Sequence, residues 1–153
     1  MQKNGFDKKN GYFKSGRQYE WYEDGQLHNE DGPAYRSPKG DLQWWIHGMQ
    51  HREDGPAAEY KNGDKEWFIC GGKHREGAPA VEYADGGKEW WLDDMLHRED
   101  GPAIELADGT KEWWINHVQL TEEEFNHWRM KQDLNAKLHV TLASRFKEKL
   151  VKL

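Results

Sequence analysis

The chain has 153 residues, of which 35% are hydrophobic, 33% are charged and nine are tryptophan, with a formal net charge of −6. So low an apolar fraction excludes a thick globular core, and so aromatic a composition excludes a disordered chain. Its apolar runs are too short for a transmembrane helix or a signal-peptide core, so a soluble, cytoplasmic protein is expected.

The charge is divided. Residues 1–19 carry five Lys/Arg and one Asp, and residues 134–153 carry five basic residues and one acidic. Between them, residues 20–120 hold ten basic and 22 acidic residues, a balance of −12. A field of that sign attracts basic partners and disfavours direct nucleic-acid binding. The single cysteine, Cys70, excludes an internal disulfide and reads as a packing or turn residue.

In chain order, residues 11–22 (GYFKSGRQYEWY) read as a half unit and first hairpin. From there a step of 23 runs through Trp21, Trp44, Trp67, Trp90 and Trp113, each followed by a second aromatic residue. The same step joins His28, His51, His74 and His97, and Pro33, Pro56, Pro79 and Pro102. A fixed period of this length marks a repeat architecture.

Within a unit such as PAVEYADGGKEWWL, residues 79–92, short apolar alternation broken by turn residues predicts strand, turn, strand. Charge selects the turn. A two-residue loop would set Glu59 against Glu66, whereas a three-residue loop with glycine at positive φ pairs Glu59, Glu82 and Glu105 with Lys65, Lys88 and Lys111. Alternation then puts Ala80, Trp90 and Leu92 on one face and Val81, Tyr83 and Trp91 on the other.

The heptapeptide HREDGPA at 51–57 and 97–103 has near-copies HNEDGPA at 28–34 and HREGAPA at 74–80. It falls between successive hairpins, where Asp-Gly supplies a turn, Pro opens a strand and Ala leaves room for the neighbouring Trp. Equivalent residues stand two strands apart, about 10 Å, so copies of one histidine cannot share a metal ion or converge on a substrate. No phosphate-cradling glycine motif is present. The expectation is a non-enzymatic chain with no cofactor and no metal.

After Trp114 the repeat stops. Thr121 and Glu124 form a capping box that starts a helix, with Phe125 and Trp128 closing the last rung. Leu134, Leu138, Leu142, Phe146 and Leu150 then recur every four residues, an amphipathic face suited to packing in the chain, to a homodimer or to a partner. Its lysines and modest apolar stripe argue against a membrane role. The fold class is thus mainly β, an elongated single-layer antiparallel sheet of 23-residue hairpins over 1–120, with a helical cap at 121–153.

Repetition suits binding. The candidate surface is the aromatic ladder Trp44, Trp45, Trp67, Phe68, Trp90, Trp91, Trp113 and Trp114, bordered by Glu66, Glu89 and Glu112 and by His51-Arg52, His74-Arg75 and His97-Arg98. Two ring-bearing faces on one thin sheet leave one face open to a partner.

The step of 23, the aromatic residue before a Gly-containing turn and the later Asp-Gly turn resemble MORN-type hairpin repeats. The run from WWI through HREDGPA to KEWW resembles more closely the repeat proteins of tailed bacteriophages and some bacteria, which commonly end in an LTEEEF-like helix. That resemblance implies protein association, and a phage origin implies an inhibitor that occludes a host defence or nucleic-acid enzyme or mimics nucleic acid. The alternatives are a sponge for a small phosphorylated or nucleotide signal held by His74-Arg75 and His97-Arg98, and a homodimeric assembly factor.

Overall fold

The computed structural model describes the backbone of residues 9–150 and the side chains of residues 9–143. Its main element is one open, twelve-stranded antiparallel sheet in hairpin order, followed by a single helix. Between residues 35 and 105 each strand contributes only two ladder residues, Ala58–Glu59 pairing with Lys65–Glu66 and that strand in turn with Val81–Glu82.

The charge-selected register holds. Glu59 faces Lys65, Glu82 faces Lys88 and Glu105 faces Lys111. Because Lys65 also faces Glu82 and Lys88 faces Glu105, a line of alternating charge crosses six successive strands on one face. Each opposed pair contributes roughly 0.2–1 kcal/mol. On the other face Ala58, Glu66, Val81, Glu89, Ile104 and Glu112 alternate in the same way.

The turns are the three-residue kind. Tyr60 N donates to Asp64 O at 2.9 Å and Gly63 N to Tyr60 O at 2.9 Å, with Gly63 at φ +103°. Residues 37–41, 83–87 and 106–110 repeat this closure. The first hairpin, Gly11–Ser15 with Gln18–Glu23, has two residues between its last paired positions, one fewer than the later three-residue turns.

One expectation is corrected: each period builds two hairpins, where the pattern counted one. Beyond the sheet, Phe68–Ile69 pairs with Gly72–Lys73, and Trp45–Ile46 and Trp91–Leu92 do likewise. The tryptophan is where the strand changes partner. Trp67 N donates to Ala80 O at 2.8 Å, and its carbonyl accepts from His74 N at 3.1 Å. Both backbone groups are satisfied although the residue lies outside either ladder. The small hairpins turn on two positive-φ residues, as at Cys70 (50°) and Gly71 (86°), the geometry that matches strand twist. Turn-to-strand bonds such as Gly71 N to Gln50 O at 2.8 Å join them into a second strip beside the sheet.

The core is as thin as the composition requires. Ala34, Ala57, Ala80 and Ala103, one per period, are fully buried, with Ala58, Val81, Leu96 and Phe125 beside them. These alanines accept the backbone N–H of Trp21, Trp44, Trp67 and Trp90, so the last residue of HREDGPA is the residue on which the ring-bearing strand sits.

The helix, α1, runs Glu122–Leu150 without a break. Thr121 N and Oγ1 both donate to Glu124 Oε2, and Glu124 N returns a bond to Thr121 Oγ1, completing the capping box. Phe125 is buried and stacks with Trp128 at 6.0 Å between centroids. Leu134, Leu138 and Leu142 are exposed, so the described part of the helix does not fold back over an aromatic face. Phe146 and Leu150 lie outside the described side chains. No helix among the described residues is long and apolar enough to cross a membrane.

Candidate functional site

The repeated joint assembles three separate devices. The arginine covers the tryptophan eight residues before it: Arg52, Arg75 and Arg98 sit 4.0, 3.9 and 3.8 Å over Trp44, Trp67 and Trp90. From there Arg98 Nη1 donates to Pro102 O at 3.0 Å and to Glu105 Oε1 at 2.9 Å, and Nε to Asp100 Oδ1 at 2.7 Å. Arg52 repeats all three bonds; Arg75 keeps two, because Gly77 stands where the acid would be. In the first copy Asn29 replaces the arginine and Nδ2 still donates to Pro33 O at 3.2 Å.

The histidine reaches forward 19 residues. His28, His51 and His97 each accept, at Nδ1, the backbone N–H of the first turn residue of the next small hairpin, at 3.1–3.2 Å. Cys70 is such a turn residue. Accepting at Nδ1 leaves the ring proton on Nε2. That nitrogen faces a glutamate two residues on, Glu53 at 3.8 Å from His51 and Glu99 at 3.6 Å from His97. His74 differs: Asp93 Oδ1 lies 2.8 Å from its Nδ1.

Among the described residues one set of metal-ligand types does come together. His28 and His47, which are not copies of one another, lie 4.4 Å apart between ring centroids with their planes tilted by 38°, and Glu23 Oε2 lies 3.5 Å from His28 Nε2 and 3.6 Å from His47 Nδ1. The step of 23 gives no sign of this meeting, which arises from the 19-residue reach. A metal-bound histidine donates its other ring N–H outward, whereas His28 Nδ1 accepts a backbone N–H, so its Nε2 proton points at Glu23. The cluster is a loose ion-pair contact at 3.5 and 3.6 Å.

The expected ligand-facing groups are largely engaged by the fold. All eight rings of the ladder are half-buried, and three of them lie under arginines. Glu66 accepts from Tyr60 OH at 3.1 Å, Glu89 from Tyr83 OH at 2.7 Å and Trp91 Nε1 at 2.7 Å, and Glu112 from Trp114 Nε1 at 2.9 Å. Burial first, then the Glu66 charge, pushes the Tyr60 phenol up to about 12, and burial and Glu89 push Tyr83 up as well. These glutamates hold phenols and indoles in place and do not form a free charged border.

What the joints leave open is their acids. Glu30 is 81%, Glu53 87% and Glu99 69% exposed at the side chain, and Asp54 and Asp100 keep over four-fifths exposure despite their arginine bonds. Glu76 takes the same place in the third copy and is exposed too. Stepping one unit at a time, about 10 Å, these carboxylates edge the array. No family model matches the chain, and no curated protein matches it either.

Proposed function

We propose that the chain is a non-enzymatic docking scaffold that offers this acidic edge to a basic surface of another protein. The observation that carries the reading is the row Glu30, Glu53, Glu76 and Glu99, one exposed carboxylate per period. An evenly spaced row of one sign steers a basic partner and fixes its register, with an on-rate that falls as salt rises. That the joint histidines His28, His51 and His97 are engaged by backbone N–H groups of the next hairpin supports a binding role over catalysis. Taken with the resemblance to phage repeat proteins, the reading extends to an inhibitor that covers the nucleic-acid-binding face of a host enzyme.

The test is a pull-down from host lysate with the wild type and with Glu53→Lys/Glu76→Lys/Glu99→Lys, whose side chains carry little of the fold. A prey held by the wild type, released by salt and lost from the triple variant is expected. A prey retained by the folded variant removes the acidic edge as the docking surface. The phosphate-sponge reading on Arg75 and Arg98 has less support, since both guanidinium groups are spent on their own loop carbonyls, glutamates and rings.

A second reading, self-association through α1, is favoured by the exposure of Leu134, Leu138 and Leu142 along it. Light scattering on the full chain and on one lacking residues 134–153 tests it; an unchanged oligomeric state removes it.

A further inference from the structure

A groove of about 1090 Å³ opens beside the first rungs, lined by parts of residues 17–19, 36–41 and 60–66. Four cations line it: Arg17, Arg36, Lys39 and Lys61, all exposed. Among the described residues none of the four side chains makes a hydrogen bond or ion pair; Arg36 only rests 5.7 Å over the Tyr19 ring. Arg17 and Arg36 differ in this from Arg52, Arg75 and Arg98, which each hold two or more acceptors.

Three acids share the groove, and each is already answered. Asp41 accepts from Lys61 N at 2.9 Å and Ser37 Oγ at 2.7 Å, and those bonds, with a smaller part from the nearby Lys39 and Lys61 charges, hold its carboxyl below the usual range. Asp64 accepts from Asn62 Nδ2 at 2.7 Å and Ala84 N at 2.8 Å, and Glu66 from Tyr60 OH, with Lys73 Nζ 3.5 Å away. Their lone pairs go to the turns, and the cationic forks are left with donors that nothing in the groove accepts.

We propose that this groove binds a phosphate-bearing small molecule of nucleotide size. Guanidinium forks match phosphate oxygens two at a time, and lysine supplies further point charges. Small-molecule sites run to about 1,000 Å³, so the groove holds an organic phosphate and is far larger than one phosphate needs. The site is independent of the acidic edge: it takes ligands of the opposite charge, on other residues.

Titration calorimetry at low salt with ATP, tripolyphosphate and adenosine tests the inference. ATP and tripolyphosphate are expected to bind and adenosine to give no heat. Arg36→Gln/Lys61→Gln, checked for fold by circular dichroism, weakens both phosphate ligands at least about tenfold, two charged contacts being lost. The same loss of charge on the helix, Lys131→Gln/Lys137→Gln, leaves binding unchanged. No heat from either phosphate ligand at about 1 mM, a millimolar Kd being the weakest association worth the name, overturns the proposal. So does adenosine binding as tightly as ATP, or an equal loss in the helix variant.

Discussion

Replacing Arg98 tests whether the repeated joint is what binds one rung to the next. Its guanidinium lies 3.8 Å from the Trp90 ring centre, on a ring that is half-buried, which contributes about 1 kcal/mol. The Nη1 bonds to Pro102 O and Glu105 Oε1 add about 1 kcal/mol each after discounting for the 35% exposure of Glu105. The Asp100 bond adds below about 0.5 kcal/mol, because that aspartate is 82% exposed. Arg98→Ala is therefore expected to destabilise by about 3 kcal/mol. Arg98→Lys keeps the charge but loses the planar stack and the second donor, and should cost about half of that. Arg75→Ala, with no aspartate to lose, should fall within about 0.5 kcal/mol of Arg98→Ala. Urea denaturation followed by tryptophan fluorescence measures all three through the midpoint at constant slope. A lysine variant as stable as the wild type would refute the reasoning, since the fork and the stack would then hold nothing together.

Three further outcomes are expected. Gly63 and Gly86 share the same turn position at φ +103° and +97°, but a Cβ on Gly63 would meet Ala84 Cβ at 3.1 Å whereas one on Gly86 meets nothing within 4 Å. Gly63→Ala should thus lower the melting temperature more than Gly86→Ala, which carries only a backbone cost of about 1–2 kcal/mol, and equal losses would contradict the close approach. Tyr60 ionises near 12 in the folded chain against 10 when unfolded, so the fold keeps its proton longer; the stabilisation is whole below pH 10 and is lost between pH 10 and 12. Phenolate absorbance in an alkaline titration should show part of the six tyrosines lagging in the native chain and none lagging in urea, and a single native midpoint near 10 would exclude the Tyr60–Glu66 bond. Thr121→Ala should cost about 1 kcal/mol by opening the capping box and Phe125→Ala about 3–5 kcal/mol, read from urea midpoints; a neutral Phe125→Ala would mean that α1 does not close the array.

The period, the hairpin register and the start of the helix were legible because each rests on neighbours in the chain. Glu59 and Lys65 are joined by one turn, and Thr121 and Glu124 by one helical turn. The second hairpin of each period was not legible. Nothing in Lys-Glu-Trp-Phe-Ile says that pairing passes from Val81–Glu82 to Gly72–Lys73 at the tryptophan. Missing that bend, the pattern could not tell that His28 would meet His47, or that Glu66 and Glu89 would be held by tyrosines six residues away.

By itself the sequence determined what recurs: a 23-residue unit, its turns, its alternating charges and its cap, all products of backbone preference and short-range pairing. Only the tertiary structure decided which polar groups are used up and which face solvent. Hydrogen bonds reaching 19 residues forward and cations folding back over rings depend on how adjacent units stack. The folded array holds a half-buried Glu66 against the tyrosine of its own hairpin, leaves Glu53 and Glu99 on the edge, and leaves Arg36 and Lys61 beside a groove with no acceptor for their donors.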